Sequence, residues 1–200
     1  MWYGTTGGGL CRDNGYQIDV FSSYNVNSSA MMDNNISCLA EDARHGICVG
    51  TSHGLFRIDK TDYHVEKLLQ DSYGNSKIKV LMSDSKGFLW VGIDEFVLKL
   101  SKQGSLLKTY PITWNGIPKP VSCFAEDDNG NILVGMWQGG IARYDEKSDK
   151  FVPCSWNYNY SPVKIVAKSN DVFVATWGGG IVGYDMNTGN LSVQSSSMGN

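Results

Sequence analysis

The sequence predicts an all-β fold built from propeller blades, four-stranded antiparallel repeats of which it holds about 4.75. Three observations carry this. A phrase clearest as Ile47-Cys48-Val49-Gly50-Thr51-Ser52-His53-Gly54-Leu55-Phe56-Arg57-Ile58-Asp59 recurs around the small anchors Gly4, Gly50, Gly92, Gly135 and Ala175, at spacings of 46, 42, 43 and 40 residues. Asp-to-Gly hairpin signals recur in step with it, at Asp84-Ser85-Lys86-Gly87 and Asp127-Asp128-Asn129-Gly130. Glycine reaches 23 of 200 residues while charged residues stop at 18%, as a chain with many tight turns requires.

Taken in order, three strands are expected before residue ~25, so the chain opens in mid-blade. An opening strand then precedes each anchor: Ile36–Ala40, Ile78–Met82, Val121–Ala125 and Val163–Ala167, starting 42, 43 and 42 residues apart. Both alternating faces are apolar in mid-strand, with Cys38, Val80, Cys123 and Ile165 on one and Leu39, Leu81, Phe124 and Val166 on the other. A strand covered on two sides fits sheets stacked face to face. A hairpin follows, shortened to Asn170-Asp171 in the last repeat, then the anchor strand and a glycine-rich connection. The third strand ends in Asp59, Asp145 or Asp185, and a weaker fourth, such as Tyr63–Leu69, closes the unit. Helical spacing in Tyr63–Leu69 is overridden by its place in the repeat. One propeller segment over 1–200 is therefore expected, with blades at about 1–25 (incomplete), 33–70, 76–110, 119–155 and 161–195. Because exposed blade edges invite pairing, the segment is expected to meet further blades, or a second copy, or to stay an open arc.

The totals exclude several classes. A net charge of −3 with lysines and arginines scattered singly gives no basic stripe for a phosphate backbone, so no nucleic acid is expected. No apolar run approaches the ~18 residues of a membrane helix, and no charged-then-apolar leader opens the chain. Cys38 and Cys123 hold the same repeat position, and Cys48 stands where Trp2, Trp90 and Phe173 stand, so the five cysteines are expected mostly as core filler. Trp2 and Trp90 are expected in the core as well.

The residues Asp84-Ser85-Lys86-Gly87-Phe88-Leu89-Trp90-Val91-Gly92, with Gly50-Thr51-Ser52-His53-Gly54-Leu55 as the other half, resemble the two-component regulator propeller repeat, and the likeness runs over essentially all 200 residues. The pattern is eroded at Ile93 and Ala175. The resemblance implies a periplasmic, non-catalytic sensor segment of the kind found in hybrid two-component regulators of Bacteroides-type bacteria, where such propellers detect polysaccharide fragments. It also implies a piece of a longer protein, because family members carry more blades, a membrane helix, a kinase and a DNA-binding module.

Loops of a blade alternate between the two faces of the disc, so the connection after each anchor strand shares a face with the links between blades. Trp137 and Trp177 lie in the former, and Trp114, Trp156, Tyr158 and Tyr160 in the latter. With the first strand innermost, Ser37, Lys79, Ser122 and Lys164 begin near that face. Aromatic planes beside glycines and a few polar donors suit an oligosaccharide-like ligand, stacking on ring faces and bonding hydroxyls. The expected ligand residues are therefore Trp114, Trp137, Trp156 and Trp177, with Lys79 and Lys164 as polar partners. Blade-to-blade packing is the alternative for these tryptophans, and a scaffold for protein partners is the alternative for the face. A metal-dependent propeller lyase or lactonase would need ligands converging from several blades. His45 and His53 are set on opposite faces, and Asp127–Asn131 departs from a calcium loop in its early glycine and in Gln138 at position twelve. Neither Gly7-Gly8-Gly9 nor Gly178-Gly179-Gly180 has the Lys-Ser/Thr ending of a phosphate loop. No cofactor, metal or catalytic residue is expected.

Overall fold

The structure, a computed structural model, describes residues 1–24, 33–168 and 171–194. It is all β, and the described residues contain no α-helix. A three-stranded sheet of β1 (Trp2–Gly4), β2 (Leu10–Asp13) and β3 (Ile18–Phe21) comes first. Next stands a sheet of β4 (Ile36–Glu41), β5 (Ile47–Thr51), β6 (Gly54–Ile58) and β7 (Val65–Lys67). The third comprises β8 (Val80–Ser83), β9 (Leu89–Ile93), β10 (Phe96–Leu100) and β11 (Leu106–Pro111). After a small hairpin of β12 (Thr113–Trp114) and β13 (Ile117–Pro118) follows β14 (Val121–Glu126), β15 (Ile132–Met136), β16 (Ile141–Asp145) and β17 (Lys150–Pro153). The last sheet is β18 (Pro162–Lys168), β19 (Asp171–Thr176), β20 (Gly180–Asp185) and β21 (Leu191–Gln194). Each four-stranded sheet is a meander in chain order, the form of a propeller blade. Asn170 of the shortened hairpin and the ends of the first and last repeats, near residues 25 and 195, lie outside the described residues.

The chain divides into two compact units. One comprises Met1–Ser83, Gly87–Asp94 and Leu98–Thr109, and the other Asp84–Lys86, Glu95–Val97 and Tyr110–Asn200. In the first unit Leu10 packs with Ile47, Val49, Phe56, Ile58 and Val65, so the first sheet lies face to face with the second. In the second unit Cys123, Ala125, Leu133 and Ile141 of one sheet pack against Ile165, Val172, Val174 and Tyr184 of the next. The first strand forms one edge of each full blade, and first strands of neighbouring blades approach within each unit, β4 to β8 and β14 to β18.

The anchor glycines are explained by that stacking. A Cβ on Gly50 would stand 2.5 Å from Cys38 Sγ and 2.7 Å from Ile78 Cγ2 of the following blade. On Gly135 it would stand 2.5 Å from Cys123 Sγ and 3.0 Å from Pro162 Cβ. Gly4 meets Ile36 in the same way. Trp90 is fully buried, while Trp2 is half-buried against Phe21, ring centres 5.5 Å apart. All five cysteines are free thiols, and burial pushes Cys38 and Cys123 up to about 11 and Cys48 up to about 12, which makes them unreactive filler.

One register expectation is corrected. Each opening strand of the second, fourth and fifth sheets carries a bulge, between Ile36 and Cys38, Val121 and Cys123, and Pro162 and Lys164. Opposite the anchor stand Cys38, Cys123 and, in the last blade, Lys164 rather than Ile165. The last strand thus begins one residue earlier than the spacing of Val163 implied, and a one-residue shift exchanges the two faces. Ile165 is buried among the core residues of the second unit, and Val166 is 58% exposed.

Candidate functional site

In the second unit two glycine-rich loops each raise a tryptophan. After β15 the amide of Met136 donates to the Gly140 carbonyl at 3.0 Å, and Gln138 adopts a φ of 54°. After β19 the Thr176 hydroxyl donates to the Gly180 carbonyl at 2.9 Å, while Gly178 and Gly180 take φ values of 82° and 76° that suit glycine. The tryptophan amides are tied to the residue before the opening strand, Trp137 to the Pro120 carbonyl at 2.8 Å and Trp177 to the Ser161 carbonyl at 2.9 Å. Held this way, the two indoles are 37% and 69% exposed and meet edge to face, centres 6.0 Å apart at 62°. They are surface residues touching each other rather than blade core.

Trp114 and Trp156 do pack. A Cβ on Gly140 would lie 2.6 Å from Trp114 Cη2 and 2.5 Å from Trp156 Cβ, so this glycine is the price of seating both rings. Trp114 is presented by the β12–β13 hairpin, where Asn115 and Gly116 take φ values of 51° and 76°, both positive as a two-residue primed turn demands. From Trp156 runs an aromatic series, Trp156 to Tyr158 at 6.2 Å and Tyr158 to Tyr160 at 5.1 Å between centres. Tyr160 lies against Gly179, and the Tyr158 hydroxyl donates to the Gly179 carbonyl at 2.7 Å. Between these groups opens a cleft of about 390 Å3, lined by Trp114, Asn115, Gln138, Gly139, Trp156, Asn157, Tyr158, Asn159 and Ser161. No Asp, Glu, Lys, Arg or His lines it, though Lys119 packs its stem beside Gly139. Trp156 Nε1 is the one buried side-chain polar atom among the described residues with no hydrogen-bond partner.

Neither Lys79 nor Lys164 lines this cleft. Lys79 belongs to the first unit and pairs with Asp94 at 3.0 Å. Lys164 is exposed on the strand face opposite Ala175 and does not line the cleft. Ser37 is engaged too, its hydroxyl donating to the Gly50 carbonyl at 3.0 Å. Sequence reasoning passed over Asn115, Gln138, Asn157, Asn159 and Ser161. Two signals mark Asn115, Asn157 and Asn159: the dipeptide Asn115-Gly116, a strong hairpin signature, and the alternation Trp156-Asn157-Tyr158-Asn159-Tyr160. Elsewhere, His53 Nδ1 lies 2.9 Å from the buried Asp33 carboxylate and His45 Nδ1 3.2 Å from Glu41. Among the described residues no three His, Cys, Asp or Glu side chains converge as a metal site would need. Asp127 accepts the amides of Asn129 and Asn131 at 2.9 and 2.8 Å, which is a hairpin turn.

The fold is that of β-propeller blades, and the comparisons agree. No family model and no curated protein matches the chain. Among solved structures it resembles the extracellular domain of BT3049 from B. thetaiotaomicron, described as a hybrid two component system, with 20% identity and a TM-score of 0.73 over 96% of this chain and 26% of that one. The extracellular domain of BT4673 from the same organism gives 18% identity and a TM-score of 0.71 over 90% and 25%. A catalytically inactive virginiamycin B lyase from Staphylococcus aureus, solved with quinupristin, gives 15% and 0.74 over 96% and 65%. The chain spans about a quarter of the length of the two B. thetaiotaomicron domains.

Proposed function

We propose that the chain is a non-catalytic, extracytoplasmic sensing segment of a hybrid two-component system, and that its second unit binds an oligosaccharide-like ligand. The observation that carries this is the cleft beside the Trp137–Trp177 corner: carboxamides for hydroxyls, aromatic faces for the apolar faces of sugar rings, and no charged lining group. The repeat resemblance and the likeness to extracellular sensor domains support the signalling context. A second reading has an observation of its own in the likeness to a protein named as a lyase. Against it stands the absence of any ionisable side chain other than the Tyr158 phenol from the cleft lining, since general acid–base chemistry needs a group that titrates. A scaffold for a protein partner would use the same aromatic face.

Substituting the exposed Trp177 tests the reading. Trp177→Ala is expected to lower affinity on a glycan array while leaving the melting temperature within about 2 °C of wild type, as surface changes generally do. Unchanged glycan binding would move the ligand elsewhere, and a large fall in melting temperature would make Trp177 a packing residue.

A further inference from the structure

The cleft and the exposed indole corner are joined through Ser161. Its hydroxyl accepts the Gln138 amide at 2.9 Å, its carbonyl accepts the Trp177 amide at 2.9 Å, and both Ser161 and Gln138 line the cleft. Gln138 also follows Trp137 directly, so both indoles are positioned by residues of the cleft wall. Yet neither Trp137 nor Trp177 lines the cleft itself. Two recognition surfaces of different chemistry therefore lie side by side. One is concave and amide-rich, suited to reading hydroxyls; the other is an apolar corner, suited to stacking and unused by any ligand small enough to fit within the cleft alone.

Resting on the oligosaccharide reading, we propose that this is a pair of contiguous sugar subsites selecting an uncharged oligosaccharide of two or more rings. The cleft holds one ring through Asn115, Gln138, Asn157 and Asn159, and the Trp137–Trp177 corner stacks the next. An acidic sugar is disfavoured because a carboxylate desolvated against this lining meets no counter-charge in it.

The test is calorimetric titration of the full chain with uncharged gluco-, xylo-, manno- and arabino-oligosaccharides of one to four units, alongside the corresponding uronic acids. The expected result is a gain of about tenfold in affinity from one ring to two, the size of a single aromatic stacking contact. Trp177→Ala should abolish that gain while keeping single-ring affinity, and Trp177→Phe should restore part of it. The pairing of subsites is overturned if one ring binds as tightly as two, or if Trp177→Ala weakens all lengths equally. Tighter binding of uronic acids than of uncharged sugars overturns the selectivity. If no sugar of any length or charge binds, the oligosaccharide reading fails, a result distinct from the loss of length dependence.

Discussion

Trp156 shows how a single residue can serve two ends that compete. Its ring is seated over Gly140 and packs with the core of the second unit, yet its Nε1 is buried with no acceptor among the described residues. An unmade buried donor costs on the order of 1–3 kcal/mol. Trp156→Phe removes the donor but also some ring area, so folding stability measured by urea unfolding should stay within about 1 kcal/mol of wild type or rise. A loss above about 3 kcal/mol would mean that area loss dominates or that the donor has a partner in the native state. The sequence marks Trp156 only by its place in a link between blades. Its neighbours Asn157 and Asn159 were legible in principle from their alternation with the aromatics, but amides in a link carry no periodic signal of their own.

At the scale of the blade, the anchor glycine is the hinge between sequence and packing. Gly135 faces Cys123 within its own sheet and Pro162 of the next, and a methyl group there has nowhere to go. Gly135→Ala should destabilise the protein by about 1–3 kcal/mol, as overpacking of a filled interior does. Denaturant unfolding of Gly135→Ala checks this, and combining it with Cys123→Ala should recover part of the loss by freeing the Sγ volume. A neutral single substitution would refute the packing account. Ala175 is consistent with it, since its partner across the strands is the exposed Lys164 rather than a buried thiol. The same blade shows where spacing misleads. The spacing starts its opening strand at Val163, but the bulge it shares with the opening strands of the second and fourth sheets falls here one position earlier, after Pro162, so Lys164 rather than Ile165 stands opposite the anchor and the two faces exchange.

Across the molecule, one electrostatic feature recurs at the ends of three third strands. Thr61 amide and hydroxyl groups hold the Asp59 carboxyl below its ordinary value, the Ser148 hydroxyl and Lys147 amide do so for Asp145, and the Thr188 and Asn187 amides for Asp185. Burial alone would raise Asp33, but the Asn35 amide and the His53 ring outweigh it and hold it low. Carboxyls depressed in the folded state contribute stability that is complete above their unfolded value of about 4 and disappears as pH falls through their folded values. Unfolding free energy is therefore expected to stay flat with respect to these groups near neutrality and to decline once pH drops below about 4. Unfolding titrations from pH 7 to pH 3 check this, and undiminished stability at pH 3 would contradict it. By itself the sequence determined the all-β class, the blade repeat and the hairpin positions, because glycine, aspartate and apolar alternation act locally and return with every period. Only the tertiary structure decided which tryptophans are packed and which are exposed, that neither Lys79 nor Lys164 lines the cleft, and that Ser161 joins the cleft to the indole corner. Those outcomes depend on bulges and on side chains of different blades meeting, which are properties of packing rather than of any one stretch of chain.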